Sequence, residues 1–261
     1  MAAPIALQLY SLREAMAKDF ENIVKRVADI GYPAVETAGF PGTTPAVAGK
    51  LFKDLGLEVC SAHMPLPIGE KKQEVIDTMN VLGCKRIIAG FGPDQFKTGD
   101  LIKASCAKFN EASAAAKANG MCFGIHNHWW EFDHQIDGLY PEDILLAADP
   151  SVFAELDVYW AACGGADAAV QVARLKDRAP LLHIKDGMVE PRQPHTAVGA
   201  GALNMPAIIG AADPDVLEWV IVELDSCATD MMEAVAESYR YLVGKGLASG
   251  NKPAGCGCCC S

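Results

Sequence analysis

The sequence contains no apolar run near the roughly 18 residues that a membrane-spanning helix needs. Its opening, Met1 to Tyr10, has neither the basic stretch nor the long apolar core of a secretory leader. Basic residues are in the minority: 22 Lys and Arg stand against 33 Asp and Glu, a formal charge of −11 that disfavours coating a phosphate backbone. A glycine-rich phosphate turn is also missing after the first apolar stretch, where Gln8-Leu-Tyr-Ser11 stands, so an open dinucleotide-binding sheet is the second choice of architecture. Cysteine is plentiful, at ten, but paired spacing is not. Cys60, Cys84, Cys106, Cys122, Cys163 and Cys227 are scattered singly, mostly among apolar neighbours where a reduced thiol acts as a small hydrophobe. The other four, Cys256, Cys258, Cys259 and Cys260, crowd the end of the chain, and adjacent cysteines suit a closed tetrahedral site poorly. The expectation is a soluble, cytoplasmic protein that engages neither membrane nor nucleic acid, with one domain over residues 1–245 and a disordered Cys-rich tail over 246–261. Oligomeric state leaves no mark in the pattern.

What is present is a rhythm. Short apolar runs at residues 5–10, 34–37, 57–63, 85–90, 121–125, 152–157, 180–185 and 216–224 alternate with helical patterns at 12–30, 44–55, 70–82, 100–119, 141–148, 166–177, 205–211 and 229–244. Ser11 with Glu14 reads as a capping box, and Gly56, Gly83 and Gly120 as helix stops. Strand-then-helix alternation calls for a parallel sheet, and eight repeats in about 250 residues close a (β/α)8 TIM barrel. With 51% apolar residues there is ample material for the core.

The strand exits carry the chemistry. Alternate residues face the interior, which directs Gln8, Tyr10, Glu36, His126, His128, Glu155, Asp157, His183, Lys185, Glu223 and Asp225 towards it. The stretch His126-Asn-His-Trp-Trp-Glu-Phe132 adds Glu131 just past its strand, so that His126, His128 and Glu131 are each a ligand or a proton carrier; the blander reading is a hydrogen-bonded core cluster. So many ionisable groups at one end are costly unless paired or metal-bound. Glu131, Asp157, His183 and Glu223 make a mostly hard ligand set, suited to one manganese ion, or to magnesium, cobalt or zinc. Glu131 lies beyond its strand, and His126 is the alternative first ligand. Glu155 sits one layer deeper, as a buried ion-pair residue, and His63 is placed on the pocket wall. His134 and His195 lie in loops and carry no signal.

These residues resemble the sugar phosphate isomerase/epimerase family, the xylose-isomerase-like barrels related to endonuclease IV. The likeness rests on Gln8-Leu-Tyr-Ser11, the His126–Phe132 stretch, Glu155-Leu-Asp-Val-Tyr-Trp160 with Gly164-Gly165, His183-Ile-Lys-Asp186, Val198-Gly-Ala-Gly201 and Val222-Glu-Leu-Asp225. The resemblance implies a divalent ion held by a glutamate, an aspartate, a histidine and a glutamate on strands five to eight. Asp157, His183 and Glu223 match the last three, while His126 stands where many relatives carry the first glutamate, leaving His126 or Glu131 for that role. Val198-Gly-Ala-Gly201 also lacks the acidic residue commoner between the glycines. The chemistry implied is proton transfer beside the carbonyl of a ketose, keto-sugar or keto-polyol through an enediolate, with Glu131, Glu223 or His128 moving the proton and Lys185 polarising an oxygen. Tyr10, His63, His126 and Trp160 are the expected sugar contacts, and Trp129 and Trp130 join Tyr10 and Trp160 as flat walls for a sugar ring. The alternatives are a lyase or dehydratase on a keto-inositol or 3-keto-glycoside, and a non-catalytic sugar-binding barrel. A metal-dependent nuclease on this fold would need several metal ions and a basic collar, which the charge disfavours.

Overall fold

Eight short parallel strands run in sequence order around a closed ring: β1 (Ile5–Gln8), β2 (Ala34–Ala38), β3 (Glu58–His63), β4 (Arg86–Ala89), β5 (Cys122–His126), β6 (Phe153–Asp157), β7 (Leu181–Ile184) and β8 (Trp219–Val222). The ring closes where Ala6 of β1 pairs with Ile221 of β8. The structure is a computed structural model and describes residues 2–254. Around the strands, among those residues, lie α1 (Arg13–Ile30), α2 (Pro45–Asp54), α3 (Lys72–Leu82), α4 (Gly99–Ala118), α5 (Pro141–Ala148), α6 (Val158–Cys163), α7 (Ala168–Arg174), α8 (Met205–Gly210) and α9 (Met231–Gly244). The barrel read from the sequence is therefore the barrel observed.

Alternation along the strands divides the core in two. Leu7, Val35, Ile87, Phe123, Leu156, Leu182 and Val220 face outward into the layer shared with the helices. Ala6, Ala34, Cys60, Ile88, Leu181, Trp219 and Ile221 pack inside the ring and form a dry floor beneath the polar mouth. Gly124 belongs to that floor: a Cβ there would fall 2.3 Å from the ring of Phe153, so only glycine lets the ring lie across β5. On β3 the register shifts, with Val59 opposite Val35 but Ser61 opposite Glu36. That irregularity leaves Cys60 unpaired with β2 and aims both Ser61 and His63 at the interior.

Several boundaries differ from the sequence reading. The first strand stops at Gln8, and residues 9–12 form a 3-10 turn. Ser11 caps no helix; its hydroxyl accepts the N–H of Leu224 at 2.9 Å, tying the exit of β8 to that of β1. The side chain of Asp157 accepts the N–H of Trp160 and starts α6 directly at the end of β6, a helix that apolar periodicity did not reveal. The barrel domain also does not end at residue 245. Leu247 and Ala248 pack on the core, Ser249 bonds to Ala3 and Ile5 along the edge of β1, and the Tyr239 hydroxyl donates to the Lys252 carbonyl at 2.6 Å. The four tail cysteines from Cys256 onward lie outside the described residues.

Candidate functional site

The inward residues of the strand exits meet above the dry floor in two tiers. The lower tier is built around Glu36 of β2, which accepts hydrogen bonds from Gln8 and Ser61 and faces Nε2 of His183 at 2.9 Å. Glu155 of β6 stands beside it, with its Oε2 2.6 Å from His63 Nε2 and 3.2 Å from both His126 Nδ1 and His183 Nε2. The upper tier holds Asp157, Glu223, Lys185 and the opposite nitrogens of the same two rings. His183 Nδ1 lies 2.9 Å from Glu223 Oε2, and His126 Nε2 lies 4.0 Å from Asp157 Oδ2. The Lys185 ammonium sits 3.1 Å from Asp157, 2.7 Å from Glu223 and 2.7 Å from Asp225, and 5.0 Å above the ring of Trp160.

Backbone placement is enforced from the sides. Asn127, fully buried, donates to the Asp157 carbonyl at 3.1 Å and accepts the Asp157 N–H at 2.8 Å, so the residue between the two histidines clamps β5 to β6. Asp186, directly after the Lys185 position, accepts N–H bonds from Gly187, Gly199, Gly201 and Leu203 at 2.9 to 3.2 Å. A Cβ on Gly201 would lie 2.1 Å from the Asp186 carboxylate, so the Val198-Gly-Ala-Gly201 loop can close on that carboxylate only with glycine there.

Burial and charge set the protonation of each group. For Glu36, burial pushes the carboxyl up, but the His183 and His63 imidazoles outweigh it and hold it well below the usual range. Glu155 goes the other way, pushed up to about 8 by burial and by Glu36. Burial raises Asp157 to about 6 against the pull of Lys185 and His183. Burial would lower Lys185, yet Asp157, Glu223 and Asp225 keep it well above its ordinary value, so its ammonium is permanent at neutral pH. His128 is pushed down to about 3 by burial and by Lys185, and is a neutral ring at neutral pH.

The mouth opens into a cavity of about 580 Å³ whose wall includes Tyr10, His63, His126, His128, Trp130 and Glu223. Tyr10 projects from the 3-10 turn rather than from the strand, with the Arg13 guanidinium 4.0 Å from its ring centroid. Trp160, read from the sequence as a sugar contact, lies behind Lys185 and is only 5% exposed. Trp130 takes the wall position and stacks on His128 at 4.3 Å. Its place is set by the 3-10 turn over Trp129–Glu131, which the sequence did not disclose.

Glu131 is the main correction. Its carboxylate turns back to accept the His128 N–H at 2.8 Å, buried near Glu142, and it belongs to neither group of potential ligands. The reason is the turn itself: once residues 129–131 coil, the side chain caps the turn instead of reaching the mouth. His126 stands in its place. The ligand atoms of His126, Asp157, His183 and Glu223 all lie within 4.8 Å of one another. Asp157 Oδ2 is buried with the Lys185 ammonium 3.1 Å away and no partner in hydrogen-bond geometry, and two carboxylates with two imidazoles are a donor set that fits a divalent cation. His195, dismissed in the sequence as a loop residue, is buried behind the site and its Nδ1 accepts the Asp225 N–H at 3.2 Å.

A family model described as a xylose isomerase-like TIM barrel matches residues 24–243. The chain belongs to that family. Among solved structures it is similar to two sugar phosphate isomerase/epimerases from Parabacteroides distasonis. One is 26% identical with a TM-score of 0.81, over 95% of this chain and 100% of the other. The second is 27% identical with a TM-score of 0.77, over 93% of this chain and 94% of that one. An L-ribulose 3-epimerase shares the fold alone, at 16% identity and a TM-score of 0.68 over 94% of both chains. No curated protein matches the chain.

Proposed function

We propose that this member of the xylose isomerase-like family is a divalent-metal-dependent sugar isomerase or epimerase acting beside the carbonyl of a ketose or keto-polyol. The observation that carries the reading is the convergence of His126, Asp157, His183 and Glu223 from four successive strands on one point at the floor of an open cavity. The two Parabacteroides distasonis structures, named as sugar phosphate isomerase/epimerases, support the substrate class. Those four side chains would hold the ion, manganese being favoured by the mixed oxygen and nitrogen set. Bound there, a divalent cation supplies Lewis acidity to a substrate carbonyl.

The remaining steps belong to the chain. Lys185, kept charged by three carboxylates, presents a fixed positive dipole partner for the oxygen on which negative charge develops. His128 lines the cavity as a neutral ring, pushed down to about 3 by burial and by Lys185, so it is suited to hydrogen-bond a sugar hydroxyl rather than to hold a proton. Glu223 faces the cavity; burial alone would raise its carboxyl, but Lys185 and His183 keep it ionised, so it is the group positioned to take a proton from the carbon next to the carbonyl and, once protonated, to give it back. Trp130 and Tyr10 give flat walls for the carbon face of a sugar. Return of a proton to the opposite face of the same carbon gives epimerisation, and to its neighbour isomerisation.

The test is solvent deuterium incorporation at the α-carbon across ketoses, inososes and 3-keto-glycosides with added manganese. Metal-dependent exchange on at least one of them, lost in Asp157→Asn, is the expected outcome. Manganese binding with no exchange on any would instead make the protein a sugar-binding barrel.

A further inference from the structure

His126 and His183 stand between two sets of acidic partners and face each with a different ring nitrogen. Upward, His126 Nε2 and His183 Nδ1 meet Asp157 and Glu223. Downward, His126 Nδ1 and His183 Nε2 each lie 3.2 Å from the same oxygen of Glu155, and His63 Nε2 closes on that oxygen at 2.6 Å. Three imidazole nitrogens and a carboxylate therefore form a second cluster with all its ligand atoms within 4.8 Å of one another. Tetrahedral zinc, with bonds of about 2.0–2.2 Å, spaces its ligands roughly 3.3–3.5 Å apart; His126 Nδ1 and His183 Nε2 stand near that spacing from Glu155 Oε2, while His63 Nε2, at 2.6 Å, would have to draw back to join them. Two atoms of this cluster have no hydrogen-bond partner although their side chains are almost wholly buried: His126 Nδ1 and Glu155 Oε1. Glu36, anchored by Gln8 and Ser61 and 3.2 Å from His63, adds a further negative charge at the edge of the cluster. His63 also lines the open cavity, which gives an ion a way in.

The geometry points to a second cation seat in the lower tier, formed by His63, His126, Glu155 and His183, that takes a nitrogen-preferring divalent ion such as zinc and excludes an ion from the upper seat. Exclusion follows from the shared rings. A ring that binds below through one nitrogen carries a proton on the other, which for His183 donates to Glu223 at 2.9 Å and for His126 faces Asp157 at 4.0 Å; a ring that binds above donates to Glu155 or Glu36. Either arrangement leaves His183 with a partner on both nitrogens. The composition of the seats sets their preference: three imidazoles with one carboxylate below suit zinc, and two with two above suit manganese or magnesium. This assignment goes beyond the proposed reaction and concerns binding alone.

Equilibrium dialysis with zinc and with manganese separates the seats, using the full chain with Cys256, Cys258, Cys259 and Cys260 replaced by serine so that tail thiols do not compete. In the parent, zinc and manganese should displace one another with the sum never exceeding one equivalent at the mouth. Asp157→Asn should lose manganese by about 100-fold or more yet keep zinc within about tenfold of the parent. Adding Glu155→Gln to Asp157→Asn should then weaken zinc by about 100-fold, and His63→Gln, at the cavity wall, should do the same if the first double variant does not fold. Loss of both metals together in Asp157→Asn would overturn the second seat, as would zinc binding that survives in both double variants. Failure of the exchange reaction alone would touch neither result.

Discussion

Glu142 is the residue whose chemistry is most at odds with its surroundings. It lies in the first turn of α5, almost fully buried, with neither carboxylate oxygen hydrogen-bonded, and burial with the adjacent Asp143 pushes it up to about 8. A carboxyl raised on folding favours the protonated folded state, so the stability it permits is present below its ordinary value near 4.5 and is lost as pH climbs through 8. Glu142→Gln is therefore expected to unfold at the same temperature as the wild type near pH 4.5 and at a higher one near pH 8.5. The gain there is on the order of a few kcal/mol, since each displaced pKa unit corresponds to about 1.4 kcal/mol. Thermal melts across that range check it; a constant difference at all pH values would refute the assignment. Individual residues were unevenly legible. Asp157, His183, Lys185 and Glu223 were found because strand parity alone aims them into the mouth. Glu131 was misplaced and Glu142 missed, since nothing in a sequence reveals that a carboxylate turns back to cap a three-residue 3-10 turn or that a helix-start glutamate is buried.

At the scale of elements, the loop from Asp186 to Leu203 depends on one carboxylate accepting four N–H groups. That loop follows Lys185 and carries His195 against Trp160, at 5.5 Å between rings, so its position supports the upper tier. Gly201→Ala forces a methyl onto the Asp186 carboxylate, and the expected cost is about 1–3 kcal/mol, as for other overpacked sites. Chemical denaturation measures it, and an unchanged midpoint would show that the loop yields freely. The eight strands were readable from apolar runs bounded by turn residues. The irregularity at Cys60 and the helix starting at Val158 were not, because the first is a matter of pairing between strands and the second follows a strand with no intervening loop. The pairing shift has a functional consequence: it is what turns Ser61 onto Glu36 and His63 onto Glu155.

Seen whole, the molecule is a ring whose seam lies between β8 and β1, and the segment after α9 covers the bottom of that seam. Ser249 accepts the Ile5 N–H at 2.8 Å and donates to Ala3 at 2.9 Å, while the Lys252 backbone holds Tyr239. A chain ending at Lys245 should thus melt lower than one ending at Ala254, by several degrees, and equal melting temperatures would show that the segment only decorates the barrel. The same closure brings β2, β3, β5, β6, β7 and β8 to one polar mouth over one apolar floor. The claim on which the account rests is that four of those strands hold a single cation there. Manganese titration of the wild type and of Asp157→Asn, each checked for folding by circular dichroism, tests it most directly. The account predicts one equivalent bound by the wild type and none by the folded variant; an Asp157→Asn protein that still binds manganese with wild-type affinity would contradict it.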